Sequence, residues 1–187
     1  MPKSIDAVKY WLEQVVIGLN FCPFAKKVYL NEEIFFFESN AHSLADALVV
    51  FAEQCQYLLD HPEFDTTLIL FPTSFIEFNE YLMLVDEATY LLDSLELNGI
   101  FQIASFHPHY CFEGVAADAT ENFTNRSPYP MLHLIREHSI DRVLATFVEP
   151  EMIPVRNIAL AEQKGRQYFE QILHQAKHLH CASNTKS

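Results

Sequence analysis

The chain has 187 residues, which suits a single domain spanning 1–187, and half of them are apolar, enough for a sizeable core. A formal net charge of −13 with only twelve Lys and Arg argues against nucleic acid and anionic membrane as partners, because both need a basic face. No apolar run approaches the roughly 18–20 residues that cross a bilayer, and the N-terminus lacks the apolar stretch and cleavage site of a secretion signal, so a cytoplasmic location is expected.

Residues 4–19 carry Val8, Trp11, Leu12, Val15, Val16 and Leu19 at steps of three and four, one face of a helix that Pro23 ends. The short apolar run Ile34-Phe35-Phe36-Phe37 predicts a buried strand. Ser43 and Asp46 fit a capping box opening a helix, with Leu44, Leu48, Phe51, Cys55 and Leu58 on its apolar face and Pro62 after it. Thr66 to Phe71 reads as a second strand. Ser74 and Glu77 fit another capping box, before a helix that carries Phe78, Tyr81, Val85, Ala88 and Leu92 and leaves at Gly99.

Phe101 to Phe106 is the third strand. This β-α-β-α-β order predicts an α/β fold with a small, mostly parallel sheet of about three strands, flanked by helices. Residues 107–129 have no clean period. Pro130 suits a helix start, so Met131 to His138 is expected to be helical. Ser139 would cap a short helix reaching Phe147, Pro150 and Pro154 would bracket a loop, and Ile158 to about His178 would form the last helix. The polar tail after His180 is expected to fray.

Ligands of parallel α/β sheets collect beyond the carboxyl ends of the strands. The third strand leads there into a long loop, and long loops in compact domains are usually functional or disordered. This one is dense in varied chemistry. His107, His109 and Cys111 are spaced by two, so in an extended chain they share a side. Imidazole and thiolate together suit zinc, with His133, Asp118 or water as a fourth ligand. Alternatively Cys111 is a nucleophile with His107, His109 or His133 as its base. The plainer alternative is a buried thiol beside histidines that bond loop carbonyls.

Arg126, Ser127 and a helix start near Pro130 could hold a carboxylate or phosphate. Arg136 could stand behind them, and Arg156 with Asn157 could close the far side. Against this, each arginine could simply pair with one of the twenty-five acids. His174 and His178 lie four apart on the last helix, where histidines usually complement the dipole. Cys22, in Asn20-Phe21-Cys22-Pro23-Phe24, lacks a C-x-x-C partner, because Ala25 stands in that place, although pairing with Cys111 is conceivable. Four glycines offer neither a phosphate loop nor a G-x-G-x-x-G turn, so no nucleotide cofactor is expected.

Asn20 to Phe24, Phe101 to Pro108, Tyr110-Cys111-Phe112, Asn122 to Pro130, His133 to Arg136 and Ile153 to Ile158 together resemble a bacterial family defined only as a domain of unknown function. The resemblance covers roughly residues 5–175 and implies no activity, cofactor or partner. The function expected from the residues is a metal-dependent, zinc-like hydrolase or a Cys/His enzyme acting on a small anionic molecule. The alternative is a non-catalytic module that binds a small anion or a protein.

Overall fold

The computed structural model describes residues 3–145 and 149–179. Among them are seven α-helices and four strands. The strands are β1 (Ile34–Glu38), β2 (Thr66–Leu70), β3 (Phe101–Phe106) and β4 (Met131–Arg136), in the spatial order β1-β2-β4-β3. β1 and β2 are parallel, whereas β4 runs antiparallel to both its neighbours. The fold is thus α/β with a four-stranded mixed sheet. The three expected strands do share one direction, with a fourth, opposed strand inserted between the second and third.

That fourth strand corrects the expected helix over 131–138. Met131-Leu132-His133-Leu134-Ile135-Arg136 sits inside the sheet with both faces covered, so both sets of alternate residues are apolar or enclosed. A strand buried on two faces loses the polar half of its alternation, and Pro130 then imitates a helix start. The chain turns helical only at α5 (Glu137–Leu144), in which Ser139 is buried and bonds Asp65 instead of capping. The expected extension to Phe147 and the tail after His180 lie outside the described residues.

Helices α3 (Leu44–Asp60) and α4 (Phe78–Ser94) connect successive parallel strands. Because the strands are added in one direction across the sheet, both helices cover the same face. Their core gathers Phe51, Leu58, Tyr81 and Leu84 with Ile69, Leu132 and Leu134. Ser43 caps α3 as expected, accepting the Asp46 N–H at 3.1 Å. The second capping box does not form: Ser74 Oγ donates to the Ala41 carbonyl instead, and Glu77 enters α4 without a side-chain cap.

The other face is covered by α1 (Lys3–Trp11), a π-helical segment (Leu12–Ile17), α2 (Ala25–Leu30), α5, α6 (Ile153–Lys164) and α7 (Arg166–His178). The single expected C-terminal helix is therefore two, broken at Gly165, whose φ of 76° a side chain would resist. Pro154 lies in the first turn of α6, not at the end of a loop. Gly18 follows the π segment, and a Cβ there would lie 2.6 Å from the Gln14 carbonyl oxygen.

One hydroxyl ties the two halves of the sheet's far end to α4. Tyr81 is fully buried; its oxygen accepts from the Phe106 N–H at 2.9 Å and its O–H donates to the Met131 carbonyl at 2.8 Å. These are the residues that face each other where β3 ends and β4 begins. Tyr81→Phe should leave both main-chain groups unpaired and destabilise by about 1–3 kcal/mol. The check is the urea midpoint, which should fall while the slope of the transition stays constant.

Candidate functional site

The segment between β3 and β4 holds most of the residues that the sequence marked, and Cys111, Asn122, Arg126 and Ser127 bond its own backbone. His107 is fully buried. Its Nε2–H donates to the Phe75 carbonyl at 3.0 Å, and its Nδ1 accepts the His109 N–H at 3.0 Å. That pairing requires the neutral ring, since a proton on Nδ1 would face another donor. Burial, with neighbouring His109 adding to it, brings its pKa down from 6.5 to about 4. Phe75 carries a positive φ of 54°, uncommon for a non-glycine residue, and His107 fixes that turn.

The remaining marked residues follow the same logic. The His109 side chain is exposed. Cys111 is a free thiol whose S–H bonds the Val115 carbonyl at 3.4 Å, and Cys22 is free as well. Among the described residues no group of three or more His, Cys, Asp or Glu is placed to hold a metal ion, so His107, His109 and Cys111 do not assemble as a ligand set. Arg126 donates to the Tyr110 and Ala117 carbonyls and lies over the Phe123 ring. Ser127 donates to the Tyr129 carbonyl; no helix starts there to be capped. Asn122 receives the Phe112 N–H and donates to the Ala116 carbonyl.

Arg136 lies at the opposite end of β4 from Arg126. It bonds the Phe64, Leu58 and His61 carbonyls and so closes the C-terminal end of α3. Arg156 and Asn157, at the start of α6, donate to the carbonyls of Asn20 and Phe21 at 2.6 and 2.7 Å. His178 Nδ1 lies 2.7 Å from the His174 carbonyl, a pairing within one helix.

His133 is the exception. It sits mid-strand in β4, paired with Leu68 of β2 and Ala104 of β3. Its Nε2 is buried without a hydrogen-bond partner. Burial brings its pKa down from 6.5 to about 3, so the ring is neutral. It lines a cavity of about 460 Å³ between the sheet and the N-terminal helices. Trp11, Val28, Ala104, Phe106, Ile135 and Val143 form much of the wall, and Trp11 Nε1 is also buried and unpaired.

A second cavity of about 520 Å³ adjoins the first, sharing Val16, Phe21, Cys22, Phe106 and Pro154. Its rim adds Glu121, Thr124, Asn125 and Asn157, the polar groups missing from the inner chamber. Cys22 stands in the shared wall, where burial raises its pKa and keeps it a thiol. The π segment contributes Leu12 and Val16; such segments are rare and concentrate at functional sites. Sequence reasoning named His133, Asn157 and Cys22 but missed Trp11, Ala104 and Ile135. An apolar cavity wall carries no signal that distinguishes it from a filled core.

The chain belongs to the family described as protein of unknown function DUF1415, whose model matches residues 3–171. No curated protein and no solved structure shows significant similarity to it.

Two histidines that desolvation keeps neutral make stability depend on pH. Their folded pKa values lie below the ordinary 6.5, so the unfolded chain binds more protons in mildly acidic solution. The stabilisation is complete above about pH 6.5 and is lost as pH falls toward 4 for His107 and 3 for His133, at up to about 1.4 kcal/mol per pH unit for each. Urea midpoints taken from about pH 7 to about pH 5 should fall steadily, and His133→Leu should remove roughly half of that slope.

Proposed function

We propose that the protein binds a small, mainly apolar molecule in the chamber between its sheet and its N-terminal helices. The observation that carries this reading is the chamber itself, about 460 Å³ with an almost wholly apolar wall, opening beside a cavity with a polar rim. Pockets for small ligands have this size and character, with a few placed polar groups.

This reading keeps the non-catalytic alternative drawn from the sequence and changes its ligand. The arginines expected to hold an anion spend their hydrogen bonds on main-chain carbonyls, which favours an uncharged ligand. A Cys/His or metal-dependent hydrolase would need His107 and Cys111 available for chemistry. His107 has both ring nitrogens engaged and Cys111 bonds carbonyls of its own loop, which supports a scaffolding role for both.

N-phenyl-1-naphthylamine, a neutral dye that brightens in apolar surroundings, should bind saturably at one equivalent per chain. Ala104→Leu extends the mid-strand side chain into the chamber and should weaken that binding at least about ten-fold, the loss that 1.4 kcal/mol represents. Its melting temperature should stay level or rise, because the substitution fills space. Fluorescence titration checks the first outcome and thermal unfolding the second. Equal binding by both proteins would sink the proposal.

A further inference from the structure

The basic residues are unevenly spread along the chain. Between Lys27 and Arg126 there is no Lys or Arg, while most of the acids fall in that stretch. It builds β1, α3, β2, α4 and β3. The α3–α4 layer over one face of the sheet therefore carries acids without Lys or Arg. The bases borne by helices all lie on the elements over the other face, α1, α2, α5, α6 and α7. α3 contributes Asp46, Glu53 and Asp60, and α4 contributes Glu80, Asp86, Glu87 and Asp93. Among the described residues none of these acids is in an ion pair.

A surface helix sets its polar residues opposite the face that packs on the core. α4 departs from this. Tyr81, Leu84, Ala88 and Leu92 are its buried side. With 3.6 residues per turn, the line opposite them runs through Asn79, Met83, Asp86 and Tyr90. Met83 is 54 % exposed and Tyr90 71 % exposed, two turns apart at the centre of the outer face, with Leu82 also exposed beside them. Acids rim that centre, Glu80 and Glu87 on one side and Asp93 on the other. Acids alone would serve solubility. An apolar centre within a charged rim is instead the make-up of an interface, where Tyr and Met are enriched.

We propose that the outer face of α4 docks a basic, amphipathic segment of another protein, with apolar side chains on Met83 and Tyr90 and Lys or Arg toward Glu80, Asp86, Glu87 and Asp93. Charge complementarity selects this occupant, since opposite charges steer partners together and like charges across an interface repel. A second copy of the chain brings the same net charge of −13, which opposes self-association through this face. Methionine adapts its shape to different partners, and the exposed Tyr90 ring can take a guanidinium as well as an apolar side chain. The surface is independent of the chamber, whose helical walls belong to the opposite face of the sheet.

The probe is a peptide of two Leu-Arg-Arg-Leu-Leu-Arg-Leu repeats, a pattern that makes a basic amphipathic helix; hexa-arginine, of equal charge, is the control. Both are titrated by calorimetry into the full chain and into two double variants that keep its charge. Met83→Ser with Tyr90→Ser alters the α4 face, and Leu30→Ser with Val155→Ser removes comparably exposed side chains from α2 and α6. All four positions are exposed, so both variants should melt with the wild type. The expected result is that the amphipathic peptide binds the wild type more tightly than hexa-arginine does. The α4 variant should weaken that peptide at least about ten-fold, and the α2–α6 variant should leave it unchanged. Asp86→Lys with Glu87→Lys should weaken both peptides. Failure of the amphipathic peptide to bind the wild type, or equal affinity for the α4 variant, would overturn the proposal. Sedimentation of the wild type alone supplies the last outcome: a dimer that the α4 variant abolishes would assign the face to a second copy and overturn the basic partner.

Discussion

β4 runs between two strands that both point the other way, and this placement governs much of the rest. The chain must leave the end of β3, travel outside the sheet and return in the reverse direction beside it, so Phe106 and Met131 end up as register partners. Everything from His107 to Pro130 belongs to that return. Its main-chain groups have little regular structure to bond with, yet buried N–H and C=O groups must be satisfied. The side chains do it. His107 takes one N–H and gives one to a carbonyl, Asn122 bridges Phe112 and Ala116, Arg126 holds two carbonyls, and Ser127 holds another. Tyr81 closes the seam from below.

Much of the polar density that the sequence shows between β3 and β4 is thus engaged in holding this connection. His107, His109 and Cys111 are the residue types of zinc sites and thiol enzymes, but a long irregular connection needs the same donors and acceptors to close on itself. Spacing alone cannot separate the two uses; only the partners of each nitrogen and oxygen do. The strands β1, β2 and β3 and the helices α3 and α4 were legible because their periods reflect one dominant burial pattern each. β4 was not, since burial on both faces erased its alternation and Pro130 offered a competing start signal. The break at Gly165 was missed for a related reason: helical periodicity continues across it, and only the local φ reveals the turn.

The covering of the second face makes the chamber possible. α3 and α4 press flat against their side of the sheet, and residues from Phe51 to Leu134 interlock there. The opposite side is roofed by shorter elements, among them the π segment, the six-residue α2 and the eight-residue α5. Asn20 takes a φ of 54° so that the chain can turn from the π segment toward Cys22. Arg156 and Asn157 then clamp the carbonyls of Asn20 and Phe21 to the start of α6. A roof fixed at its rim in this way spans the sheet without filling the space beneath it. The residues below it, Ala104 and His133 side by side on β3 and β4, are respectively too small and too polar to fill it themselves.

The claim on which this account stands is that the space over Ala104 and His133 persists as an accessible apolar chamber in the folded protein. Crystals of the protein exposed to xenon under pressure test it without assuming any ligand, because xenon occupies apolar cavities. The account predicts ordered xenon within the ring of Trp11, Val28, Ala104 and Ile135, with the surrounding backbone unmoved. Crystals in which α2 and α5 have closed onto the sheet, with xenon absent there and bound elsewhere, would contradict it.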